Sequence, residues 1–144
     1  MHLVENEMKS ARHLLYVSLK YTKTCDVILN LIYRWRQMIE FSIDNLLNKA
    51  KKKKLIKIMP IAPKQKVDAL LKIFKREPLV TSTLEAYTFF RRIPSLELIR
   101  EHEFRKNVAL RVIDGKEKVI DMEQLKAWQA QLEEFITFVI AYVR

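Results

Sequence analysis

Between Asp26 and Asn48 the apolar residues Ile28, Leu31, Ile32, Trp35, Met38, Ile39, Ile43, Leu46 and Leu47 recur every three or four positions. That is the spacing of one α-helical face, held for about six turns at 3.6 residues each. Arg34, Arg36, Gln37, Glu40 and Asp44 fill the other side, so the helix is expected to lie on a core with one face wet. No Gly or Pro interrupts it. In a chain of 144 residues such a helix is the spine on which everything else must pack.

The remaining elements follow from spacing and punctuation. Met8, Ala11, Leu15 and Leu19 form a stripe that predicts a first helix over 5–21. It breaks at 21–25, where Thr24 or Asp26 serves as N-cap of the long helix. Pro60 and Pro63 make 55–63 a loop or short extended piece. Val67, Leu70, Leu71 and Phe74 predict a helix over 64–76, which Pro78 ends. Ser82 and Glu85 match a capping box opening a short helix to Arg92. After Pro94 the stretch 96–107 reads as a further helix. Asp114-Gly115 between two β-prone runs is a hairpin signal, and it accounts for the chain's single glycine. Asp121 with Gln124 then caps a last helix along the seam Leu125, Trp128, Leu132, Phe135, Val139 and Tyr142. The expected fold is mainly α: one domain over 1–144, an antiparallel bundle of four to five helices with one small β-hairpin around 108–120. Trp35 and Trp128, both on helix seams, are expected in its core.

Several functions are excluded by what is missing. One glycine rules out the Gly-rich loops that cradle phosphates in nucleotide enzymes. The one cysteine, Cys25, allows no internal disulfide and no CxxC pair. Beside Asp26 and without a neighbouring His, its thiolate is disfavoured as a nucleophile. The histidines His2, His13 and His102 show no metal-ligand spacing, so no metal and no cofactor is expected. His13, beside the first stripe, reads as a half-buried packing residue. No apolar run spans a bilayer, and Glu5 and Glu7 stand where a secretory leader would be apolar. The expectation is a cytoplasmic protein without a membrane partner. Many Lys and Ile with little Gly lean towards a thermophile.

The charge is concentrated. The net +10 equals the excess of segment 49–76, where eleven basic groups meet only Asp68; the rest of the chain balances to zero. Lys51, Lys52, Lys53, Lys54, Lys57, Lys64 and Lys66 are the candidate nucleic-acid contacts, to RNA or DNA. No aromatic residue lies within 49–73, so phosphate contact rather than base stacking is expected there. The bland alternative is a soluble helix C-terminus, where lysines favour the macrodipole.

A second cluster, 100–107, packs Arg100, His102, Glu103, Arg105, Lys106 and Asn107 together. On a helix Arg100 and Glu103 share a face, with His102 and Arg105 on another. The first helix, the long helix through Arg34–Leu47, the helix through Val67–Phe74 and the amphipathic C-terminal helix together resemble the HEPN family (higher eukaryotes and prokaryotes nucleotide-binding). The resemblance covers most of the chain apart from the hairpin. It implies frequent homodimerisation, to which two long apolar seams also point. Family members cleave RNA with an Arg followed after a few residues by a His; here His102 follows Arg100 by two, and no His follows Arg105. The resemblance therefore implies a non-catalytic RNA-binding protein or a partner of a small nucleotidyltransferase. The alternatives are a metal-independent endoribonuclease using His102 with Arg100 or Arg105, and a protein–protein interaction module.

Overall fold

A computed structural model describes residues 2–144; the side chain of His2 lies outside what is described. Helix α1 runs as His2–His13, passes through a π-helical stretch, Leu14–Ser18, and closes with Leu19–Tyr21. Helix α2 is Cys25–Lys52, α3 is Pro63–Ile73 and α4 is Pro78–Arg92, followed by a 3-10 turn at Ile93–Ser95. Strands β1 (Glu97–Glu101), β2 (Ala109–Asp114) and β3 (Lys116–Ile120) precede the last helix, α5 (Met122–Val143). The fold is mainly α with a small antiparallel sheet, as the residue spacing predicts.

Helix α2 touches α1, α3, α4, α5 and β2, and so is the spine. All nine of its seam residues, from Ile28 to Leu47, are buried. The seams of α2 and α5 are both used inside one chain: Leu125, Trp128, Leu132, Phe135 and Val139 close on α2 from the other side. At the centre Trp35 stacks on Phe90 at 5.9 Å and meets Trp128 edge-on at 6.1 Å. Its indole N–H donates to Oε1 of buried Gln129 at 2.9 Å, so the one polar atom of the ring is satisfied in the core.

The π stretch in α1 has a geometric reason. Ala11, Leu15 and Leu19 are buried at intervals of four. In an α-helix each such interval drifts about 40° around the axis. A wider π turn takes that drift back and keeps the stripe on α2.

The ends of α2 are specified locally. Thr24, not Asp26, is the N-cap, its hydroxyl accepting from the Val27 amide at 3.4 Å. The helix runs to Lys52, one turn beyond Asn48. There Lys54 adopts φ +63°, the Leu55 amide reaches back to the Ala50 carbonyl, and the Lys54 amide to Lys51. This left-handed stop is normally a glycine's place. Lys54→Gly is expected to raise stability by about 0.5–1 kcal/mol, the relieved left-handed strain less the extra unfolded-state entropy. A higher urea midpoint at unchanged slope checks it.

Several boundaries differ from those read in the sequence. Pro63 sits at the first turn of α3 and Pro78 at the first turn of α4. Both prolines therefore start helices, where a missing N–H costs nothing. The Ser82–Glu85 box lies inside α4, and the helix begins five residues earlier with Glu77 at the N-cap. Asp121 does cap α5, accepting from the Gln124 amide at 2.8 Å. His13 is exposed rather than half-buried.

The largest correction concerns 96–107. It is not a helix: 97–101 is strand β1, and 102–107 is a tight turn. Leu96 and Leu98 are half-buried while Glu97 and Ile99 are exposed, the period-two alternation of a strand. β1 pairs Leu98 with Val112 and Arg100 with Leu110, adding a third strand to the hairpin in the order β1-β2-β3. Leu110, Val112 and Ile120 are buried. On the opposite face Arg111 bridges Glu101 at 3.0 Å and Glu117 at 2.5 Å, diagonal cross-strand ion pairs. The sheet seals its edge on the core where Lys118 lies over the rings of Phe89 (4.9 Å) and Trp128 (5.3 Å).

Candidate nucleic-acid interface

The lysines that dominate the charge gather where α2 ends and α3 begins. Lys51, Lys52, Lys53, Lys54, Lys57 and Lys64 are all exposed there, because α2 stops in a tight turn and a proline-bounded loop leads into α3. Lys66 is half-buried and pairs with Asp44 across α2 and α3 at 2.8 Å. Lys53 lies over the Tyr142 ring at 4.4 Å, and Lys49 donates to the Arg144 carbonyl at 3.3 Å. Among the described residues Lys51, Lys52, Lys54, Lys57 and Lys64 make no ion pair. Many cations elsewhere are matched: Arg12 with Glu133, Arg34 with Glu7, Arg36 with Glu40, Arg92 with Asp114. The chain's net +10 equals the excess of segment 49–76, so the net positive charge of the molecule lies on this corner and along α3. Lys51, Lys52 and Lys54 also sit at the negative end of the α2 dipole, which favours them without neutralising them.

Three apolar side chains share that corner. Leu55 is 54% exposed, Ile58 84% and Ile61 87%. The sequence reads 55–63 as a loop or short extended piece; the cue to these side chains is the run of apolar residues Leu55, Ile56, Ile58, Met59 and Ile61 beside the lysines. Phosphate contact does not use these side chains. Apolar contact does.

The second candidate cluster is brought together differently from a helix face. Arg100, at the end of β1, donates to Asp26 at 2.7 Å and to Glu103 at 3.2 Å. Glu103 in turn accepts the Cys25 backbone amide at 3.0 Å, so the turn supplies a second cap to α2 beside Thr24. The Phe104 amide donates to the Lys23 carbonyl at 2.6 Å and fixes the turn on the α1–α2 loop. His102 and Arg105 are both exposed, linked through the Arg105 amide and the His102 carbonyl at 3.1 Å. Cys25 is fully buried with its Sγ against the Ala109 carbonyl at 3.2 Å, and burial pushes its thiol pKa up.

The Glu103 carboxylate is held below its ordinary range first by the Cys25 amide and then by Arg100. A lowered folded-state pKa stabilises above the unfolded value and loses that contribution as pH falls through the folded one. Glu103→Gln is expected to lower stability near pH 7, with the difference from wild type vanishing below pH ~4. Thermal melts of both proteins from pH 7 to 3 check this.

His102 borders an open groove of about 420 Å³ that also meets Glu101, Lys106, Arg111, Asp121 and Glu123. Glu101 is occupied by Arg111 and Asp121 by the α5 cap, so two of the groove's three carboxylates are structural, and a phosphate there would meet all three at close range. Among the described residues no group of three or more His, Cys, Asp or Glu is gathered to hold a metal ion. No described helix is long and apolar enough to cross a membrane. Comparison with family models, curated proteins and solved structures gives no match.

Proposed function

We propose that this chain is a non-catalytic nucleic-acid-binding protein of HEPN-like build, with RNA as its first ligand, which holds phosphates on the α2–α3 corner. The observation that carries the reading is the set of five exposed lysines that make no ion pair among the described residues, in the one segment, 49–76, whose excess equals the chain's net charge. Lysine is a compact point charge on a flexible stem, suited to phosphate oxygens that vary in position along a strand. Such contact is independent of sequence and steered by the field.

The enzyme reading is weaker on chemistry. Phosphodiester cleavage needs a base, an acid and a cation at the reacting phosphate. Arg100 is held by two carboxylates, and the 102–107 turn brings His102 no second histidine to share the roles of acid and base. Single-stranded RNA in EDTA is expected to remain intact with both wild type and His102→Ala. Cleavage lost specifically in the variant, with fold and affinity retained, would reverse the assignment.

A second reading has its own observation. Ile58 and Ile61 offer apolar anchors inside a basic rim, the complement of an acidic protein surface with an apolar pocket, such as a nucleotidyltransferase partner would have to present. Fluorescence anisotropy separates the two. RNA binding retained in Ile58→Ser/Ile61→Ser and lost in Lys52→Ala/Lys57→Ala supports phosphate contact. No RNA binding at low salt by wild type leaves the protein-docking reading.

A further inference from the structure

The opposite end of α2 carries a second basic surface, and this one has the aromatic rings that the lysine corner lacks. An open cleft of about 280 Å³ lies between α1, the 102–107 turn and the start of α5. Its floor is Leu15, Leu19, Val108 and Met122, and its wall is the half-exposed ring of Tyr16. Lys20, Lys23, Lys106 and Lys126 stand around it, and no carboxylate lines it. Two more rings project nearby. Tyr21 is 77% exposed with the Lys20 ammonium 5.9 Å from its centroid, and Phe104 is 75% exposed on the turn bonded to Lys23.

Packing does not account for these rings. Phe104 has φ +67°, a backbone region that a bulky side chain rarely enters, two residues after His102 at +53°. The Glu103 cap requires a tight turn there, but it does not require an aromatic side chain held in water. Such strain is found where the surroundings over-determine a shape, often at binding sites. Tyr16 is itself displayed from the π-helical stretch of α1, a conformation enriched at functional sites.

Resting on the nucleic-acid reading above, we infer that this end binds unpaired bases of a single strand. One base enters the cleft against Tyr16, Phe104 and Tyr21 offer stacking faces to its neighbours, and the four lysines take the phosphates between them. Alternating rings and cations are what single-strand binders use, because every base has a π-face and only an unpaired one exposes it. The cleft volume is near the lower end of small-molecule pockets, about 300 Å³, which suits one flat ring system. The two basic ends are separated by the length of α2, about 42 Å at 1.5 Å per residue for its 28 residues, so a tetranucleotide engages one end at a time.

The test is photo-crosslinking of the full chain with a tetranucleotide carrying 4-thiouridine, mapped by mass spectrometry, beside affinities of Tyr16→Ala and Phe104→Gly for single-stranded and duplex RNA. Crosslinks are expected within 16–23 and 104–106. Each variant should weaken single-strand binding by about 5- to 150-fold per ring while leaving duplex binding unchanged. Phe104→Gly relieves the positive φ and removes only an exposed ring, so it remains folded even where Tyr16→Ala disturbs α1. Crosslinks confined to 51–66, with Phe104→Gly binding like wild type, would overturn the inference and leave the lysine corner standing. A cleft emptied by dodecanoate but not by uridine monophosphate would overturn it in favour of an anionic amphiphile. No nucleic-acid binding at all at low salt would remove both this site and the function on which it rests.

Discussion

Trp35→Ala is expected to lower folding stability by about 3–5 kcal/mol, the range for an aromatic-to-alanine change in a close-packed core. Trp35 has no exposed surface, and its ring is the piece against which Phe90 and Trp128 are arranged. Phe90 and Trp128 also meet edge-on at 4.9 Å, so removing the indole opens a void between α2, α4 and α5 that no single rotamer change fills. The polar partner adds to the loss. Gln129 donates to Met8 Sδ at 3.1 Å and to Glu133 at 3.2 Å, and its Oε1 is satisfied by the indole N–H. Without that donor a buried amide oxygen is orphaned, a cost of about 1–3 kcal/mol on its own. Trp35→Phe separates the effects: it keeps most of the ring contact and loses only the hydrogen bond. A domain stable by about 5–15 kcal/mol would survive the phenylalanine and be marginal with the alanine. Urea titrations followed by circular dichroism give both numbers.

What was legible in the sequence and what was not divides along physical lines. The 3.6-residue stripe of α2 survives because its buried face is continuous, with every seam residue from Ile28 to Leu47 inside. The hairpin was legible because Asp114-Gly115 is a local signal, and Gly115 does take φ +71°. The stretch 96–107 misled because its charges satisfy helical i,i+3 spacing as well as strand alternation. The choice was made by distant partners, Val112 across the sheet and Cys25 at the foot of α2, which no window of eleven residues contains. The prolines misled for a related reason: Pro78 reads as a stop and Pro63 as the last residue of a loop, yet proline is equally at home in a first helical turn. In the basic segment exposure was legible and pairing was not. Lys66 meets Asp44, 22 residues away, and Lys53 meets Tyr142, so two of the seven candidate lysines already have partners. The exposed rings Tyr16, Tyr21 and Phe104 were invisible as a group because only the fold brings 16–21 beside 104.

Replacing Lys51, Lys52, Lys54 and Lys57 with alanine together is expected to reduce duplex RNA affinity on the order of 10³-fold at 0.1 M salt. Each phosphate contact releases about 0.7–0.9 of a counterion, so four contacts contribute roughly three decades between 1 M and 0.1 M salt. Stability should change little, because these ammonium groups are exposed and make no ion pair among the described residues. The same substitutions at Lys53 and Lys66 should do less for binding, since those side chains must first leave Tyr142 and Asp44. The variant therefore separates a ligand-facing charge from a structural one.

The most direct measurement is the slope of log K against log[salt] for wild-type protein and a duplex RNA, whose paired bases do not enter the Tyr16 cleft, between 50 and 300 mM salt. Five phosphate-contacting lysines predict a slope of about −4.5, rising to roughly −0.9 in the four-lysine variant. A wild-type slope near zero, or a slope that the variant leaves unchanged, would contradict the assignment of the α2–α3 corner as the phosphate-binding surface.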